Sequence, residues 1–218
     1  MSTGVRGKKT IAPTKSTLSA LDHDMHQRGS LVPSVVMLCD IPESVEDSFY
    51  SGLVNIALKD AVFQPSDSFR TVLEMKKVVE ERVDSIDDVK YLFLMTDGGG
   101  EHRVNFHSVK VPLILLFKEL DLDLLVAIRC APGQSYISVV ERIMSILNIG
   151  IQNVALERAV SPSDSTIQKA RNMAELRTHP EVKGDWLKSL EPMQEEIRGR
   201  FERLKLKDDP FKVRNTES

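Results

Sequence analysis

Between Tyr91 and Asn153 the chain runs twice through the same order, a short apolar run and then a longer stretch with helical spacing, and few folds accommodate that. The first run, Tyr91-Leu92-Phe93-Leu94-Met95-Thr96, stops at Asp97-Gly98-Gly99-Gly100 and reads as a buried strand closed by a tight turn. Val104 to Leu120 follows with helical spacing. A second strand-like run, Leu122 to Cys130, ends at Ala131-Pro132-Gly133. From Ser135 to Asn153 the apolar residues Val140, Ile143, Met144, Leu147 and Ile151 recur at helical intervals. Strand, helix, strand, helix predicts an α/β fold with parallel strands under covering helices. In such sheets chemistry gathers where strands end. Asp97 stands at one such end, and Glu141 lies in the first turns of the second helix, so these two acids form the candidate site.

Upstream, Ser34 to Ile41 and Ser48 to Lys59 predict two strands joined by the polar turn Pro42 to Asp47. Asp60 to Gln64 extends the second or forms a short third. Pro65-Ser66-Asp67 signals a helix start, and Asp67 to Val83 sets Phe69, Val72, Leu73 and Val79 on an inner face. The chain therefore divides into a polar segment (1–30), a core (31–158) and a helical C-terminal extension (159–218). That extension has helical stretches from Ser165 to Leu176 and from Gly184 to Leu206. Arg198, Arg200, Arg203, Lys205 and Lys207 give it a basic stripe, and Arg6, Lys8, Lys9 and Lys15 make the other end basic. With a net charge of −3 over 218 residues there is no global pull toward nucleic acid. Contact with DNA through the basic termini stands beside a reading of them as solvated tails. No apolar run approaches the roughly 20 residues of a membrane span, and no signal core opens the chain. A nuclear or cytoplasmic protein, not secreted and with no membrane partner, is expected. Cys39 and Cys130 fall in strand-like runs and are expected to be buried free thiols. Trp186 and Tyr91 are expected to be packing residues.

Met95-Thr96-Asp97-Gly98-Gly99-Gly100-Glu101-His102-Arg103 resembles the strand-end Asp-Gly segment that carries the second carboxylate in DDE transposases and retroviral-type integrases. Ala131-Pro132-Gly133-Gln134-Ser135-Tyr136 and the residues on to Glu141-Arg142 resemble the loop and helix that carry their third. The order of antiparallel strands followed by alternating helices and parallel strands is similar to the RNase H-like fold. The chain resembles a piece of a transposon-derived animal protein family of that kind, over most of residues 1–210. The resemblance implies an RNase H-like mixed sheet with flanking helices, Mg²⁺ or Mn²⁺ as cofactor and DNA as partner. A homo-oligomer stays open. Ile137-Ser138-Val139 departs from the family's Asn-Pro at the helix entry. The first carboxylate belongs to an Asp-Asp-Lys strand that would precede Met1, so a chain truncated at its N-terminus, with its first strand missing, is expected. Asp40, at the end of its own strand, is the formal substitute as a third metal ligand.

Phosphodiester cleavage needs an activated nucleophile and a stabilised leaving oxygen, and two Mg²⁺ ions about 4 Å apart supply both. Mg²⁺ takes hard oxygen ligands and keeps several waters, so carboxylates converging from separate elements hold it. With Asp97 and Glu141 alone certain, weak metal binding is expected. The function expected is a transposase- or integrase-like nucleic-acid-processing domain, truncated or inactive. A non-catalytic transposon-derived binding or scaffold protein is the alternative. Plainer readings apply to the same residues. An Asp before three glycines makes a good turn, Glu141-Arg142 makes an exposed ion pair, and His102 and His107 make turn histidines. His23-Asp24-Met25-His26 has zinc-ligand spacing but no third ligand nearby. An unrelated hydrolase would need Ser135 beside His102 or His107.

Overall fold

The structure, a computed structural model, describes residues 31–82, 89–97, 99–131, 134–154, 156–170 and 173–216. The expectations for 1–30, including the His23–His26 spacing, lie outside these residues. Strand β1 (Leu31–Cys39) pairs antiparallel with β2 (Gly52–Asp60) along its whole length, from Leu31 opposite Asp60 to Cys39 opposite Gly52. Helix α1 (Ser68–Arg82) leads to β3 (Tyr91–Thr96). Helix α2 (His107–Glu119) then crosses over to β4 (Leu124–Arg129), which lies parallel to β3. Helix α3 (Val139–Gly150) and two short helices, α4 (Asp164–Lys169) and α5 (Met173–Leu176), precede α6 (Lys183–Phe201). A small hairpin of β5 (Lys205–Leu206) and β6 (Asp209–Pro210) turns the chain into β7 (Lys212–Asn215), which pairs parallel with β2. The architecture is mixed α/β with small sheets, and no helix among the described residues is long and apolar enough to cross a membrane.

β2 is the centre of the first sheet, and its alternation shows why. Val54, Ile56 and Leu58 enter a core with Ile143 and Leu147 of α3 and Trp186, Leu190 and Phe201 of α6. The residues between them face the other way. Asn55 accepts hydrogen bonds from Arg82 of α1, and Lys59 pairs with Glu74 at 3.4 Å, both nearly inaccessible. That buried ion pair sets the rotation of α1. Its inner face carries Val72, Glu74 and Val79, while Phe69 and Leu73, which apolar spacing alone places inside, are 49 % and 59 % exposed. Asp67 caps the helix by accepting from the Arg70 amide at 2.9 Å. A second core joins α1 and α2 through Val72, Val79, Leu116 and Leu120, and Leu38, Leu92 and Leu125 pack on it from the strands.

Several sequence expectations change in the fold. Ser48 to Ser51 precede the second strand, and Phe49 is exposed. Asp60 ends the second strand, and Ala61 to Gln64 is a turn closed by side chains rather than strand: the Phe63 amide donates to Asp60 and the Asp60 amide donates to Gln64. Cys39, opposite Gly52 at the hairpin end, is exposed, whereas Cys130 is buried. Trp186 is core, but Tyr91 is 65 % exposed, because its face of β3 has no covering layer among the described residues. The helical reading to Leu206 stops at Phe201, and the chain bends at Lys207, whose φ of 54° is left-handed. Residues on both sides of 158 share one buried cluster, so the C-terminal segment and the preceding strands fold against each other.

Glu81 of α1 ties β7 to this assembly, accepting from Lys212 at 2.8 Å and Arg214 at 3.0 Å. The Lys212 hydrogen bond, opposed by partial burial and aided by the Arg214 charge, holds the Glu81 carboxyl below its ordinary value of 4.5. A depressed carboxyl stabilises the fold above its unfolded value, and that contribution disappears as pH falls through the folded value. Protection of the β7 amides, their exchange measured against the intrinsic rate at the same pH, is therefore expected to fall below about pH 4.5, and much less so in Glu81→Gln. Equal acid sensitivity in both proteins would disprove the tie.

Candidate active site

The parallel register of β3 and β4 runs to their last residues, Thr96 opposite Arg129, and continues one step further. There the Cys130 amide donates to the Thr96 carbonyl at 2.8 Å. Two consequences follow. Asp97 and the segment leading to α3 leave the sheet at the same end, where parallel sheets place their reactive groups. Cys130 is also sealed into the strand end as a buried thiol.

Asp97 is organised by its own turn. Its Oδ1 accepts from the Gly99 amide at 3.0 Å and from Nδ1 of His102 at 2.8 Å. His102 is the last residue of a single 3-10 turn (Gly100–His102) whose amide returns to the Gly99 carbonyl. Burial raises the Asp97 carboxyl, but the Gly99 amide and His102 outweigh it, and the net position is below the ordinary 3.8. The Asp97 backbone amide lowers it as well. His102→Ala should move the Asp97 titration upward, toward the ordinary carboxylate range, as read by carboxyl carbon NMR. An unmoved midpoint would show that the pair contributes nothing. This Asp–His contact is what the residue-by-residue reading missed. Its signal was a histidine five positions beyond an aspartate, with only glycines and one acid between them to fold the chain back.

Glu141 occupies the first turn of α3 and is half-buried. It forms no ion pair with any described residue, and Arg142 instead lies over the Tyr50 ring at 5.4 Å from its centroid. The exposed Glu141–Arg142 pair is therefore not the arrangement found. Asp40 accepts from Ser51 Oγ at 2.7 Å and lines a cavity of about 370 Å³ with Asp47, Tyr50, Arg142 and Lys207. Two cations, Arg142 and Lys207, offset two acids, Asp40 and Asp47, around that cavity. Among the described residues no group of three His, Cys, Asp or Glu side chains converges to hold a metal, so Asp40, Asp97 and Glu141 do not form a three-carboxylate cage.

Comparison with protein families, curated proteins and solved structures finds no match. The site must be read on its own chemistry. His102 is committed to Asp97, His107 is exposed at the start of α2, and the Ser135 side chain lies outside the described set, so the hydrolase arrangement gains no support. Two of the five cations of the basic stripe are paired: Arg198 with Glu195 and Arg200 with Glu196 along α6. Arg203, Lys205 and Lys207 remain to present positive charge near the α6 terminus.

Proposed function

We propose that the chain is an RNase H-like domain of the DDE transposase and integrase type, a DNA-processing domain that contributes Asp97 and Glu141 to a divalent-metal site and does not cleave DNA unaided. The observation that carries this reading is the shared exit of β3 and β4. It sets a turn-locked aspartate at the end of one parallel strand and sends the neighbouring strand into the helix bearing an unpaired glutamate. The Asp97 and Glu141 carboxylates would suit one Mg²⁺ or Mn²⁺ ion held mostly by water. They do not suit a two-ion centre, which needs a third converging ligand that the described residues lack. No cleavage step is therefore assigned to them.

The non-catalytic scaffold reading draws on one specific observation, that no group of three metal-ligating side chains converges among the described residues. Calorimetric titration with Mn²⁺ and a plasmid-nicking assay separate the two. The wild type should bind Mn²⁺, Asp97→Asn and Glu141→Gln should each weaken binding about tenfold or more, and nicking should stay at background in all three. Equal binding by the three proteins would leave the scaffold reading in place. Metal-dependent nicking abolished by both substitutions would instead show a complete nuclease.

A further inference from the structure

Each segment that carries a site acid also carries an arginine whose guanidinium rests on an aromatic ring. Arg103 follows His102, and its guanidinium lies over the Phe106 ring, 5.6 Å from the centroid. The chain sets this contact, because the Phe106 amide donates to the Arg103 carbonyl at 2.8 Å and closes a turn between the two residues. Arg142 follows Glu141 and lies over Tyr50 at 5.4 Å, and Tyr50 is itself packed against the main core. The acids that share the Arg142 cavity are engaged otherwise, Asp40 by the Ser51 hydroxyl and Asp47 by the Ser44 hydroxyl. Both arginines are exposed. A ring takes up one face of the guanidinium plane by a cation–π contact. The N–H donors lie around the rim of that plane, so they stay open to a ligand, whereas a carboxylate partner would consume them.

We propose that Arg103 and Arg142 grip the phosphodiester backbone of a nucleic acid at the strand-end site, with Phe106 and Tyr50 as the residues that position them. The chemistry selects the ligand. A planar guanidinium with its fork of donors free matches the paired oxygens of a phosphate. Any phosphate-bearing chain that reaches Asp97 and Glu141 meets two negative charges, and cations supplied by the same two segments offset that repulsion. The inference rests on the Asp97–Glu141 reading for why a polyanion should approach this end of the sheet. The grip itself needs no metal, so the two can be tested apart.

The test is fluorescence anisotropy of the full chain with a short labelled DNA duplex, in EDTA, over a series of salt concentrations. The wild type should bind, with a Kd that weakens as salt rises. Arg103→Gln and Arg142→Gln should each weaken binding and lower the slope of log Kd against log salt by about one, the loss of one phosphate contact. Phe106→Leu keeps the charge and should weaken binding with the slope retained. Arg198→Gln, whose guanidinium is already paired with Glu195, should match the wild type. Absence of binding at low salt, or unchanged slopes in both arginine variants, would overturn the proposal. So would a salt dependence lost entirely on replacing Arg203 and Lys205, which would give the contact to the basic stripe. An unchanged Kd in Phe106→Leu would overturn the positioning role of the ring. Since EDTA removes divalent ions, a failed Mn²⁺ titration and a failed DNA titration are separate results.

Discussion

Asp60→Ala should cost about 3–5 kcal/mol of stability, read as a lowered midpoint in urea unfolding. Asp60 is fully buried at the end of β2, and three segments meet on it. Trp186 Nε1 of α6 donates to Oδ1 at 2.9 Å and the Phe63 amide donates to Oδ2 at 2.6 Å. Alanine strands both donors where water does not reach, each at about 1–3 kcal/mol. The same turn passes through Gln64 to the Thr216 carbonyl, so its loosening should spread to β7. Trp186→Phe keeps most of the ring packing, removes one donor and should cost less than half as much. A loss below about 1 kcal/mol in Asp60→Ala would mean that this network is incidental.

The second large effect belongs to Gly52. Its φ of 132° lies in the region that favours glycine, and a Cβ there would stand 2.0 Å from the Leu38 carbonyl oxygen and 2.9 Å from the Cys39 Cα. Both obstacles are backbone, so nothing cheap can move aside. Gly52→Ala should cost about 3 kcal/mol or more, combining backbone strain with the opening of the β1–β2 hairpin. Gly199→Ala, mid-α6 with open space around its Cβ, should instead stabilise by about 1 kcal/mol or less through helix propensity. The two alanines therefore carry opposite signs. A neutral Gly52→Ala would show that the hairpin tolerates a different turn.

The elements that local pattern determines were legible without coordinates. β3, α2, β4 and α3 lie where apolar runs and helical spacing place them, although β3, which reads as a buried strand, alternates between exposed and half-buried residues. What stayed hidden depends on distant residues. β7 is four residues, Lys-Val-Arg-Asn, with one apolar side chain in its interior, and only the parallel edge of β2 makes it a strand. Phe69 and Leu73 point outward because Lys59, on another strand, draws Glu74 inward. Cys39 is exposed because its strand is an edge, which composition does not reveal. At the candidate site, Asp97 and Glu141 could be singled out from chain position alone. The Asp97–His102 contact and the cations near Asp40 required the turn and the cavity to be seen.

Diffraction at the manganese absorption edge, from crystals of the full chain soaked in Mn²⁺, tests most directly whether the two acids share a cation. The expected result is one anomalous peak within about 2.5 Å of a carboxylate oxygen of both Asp97 and Glu141, with water completing its shell. A peak touching only one of them, a peak beside Asp40, or no peak at all would contradict it.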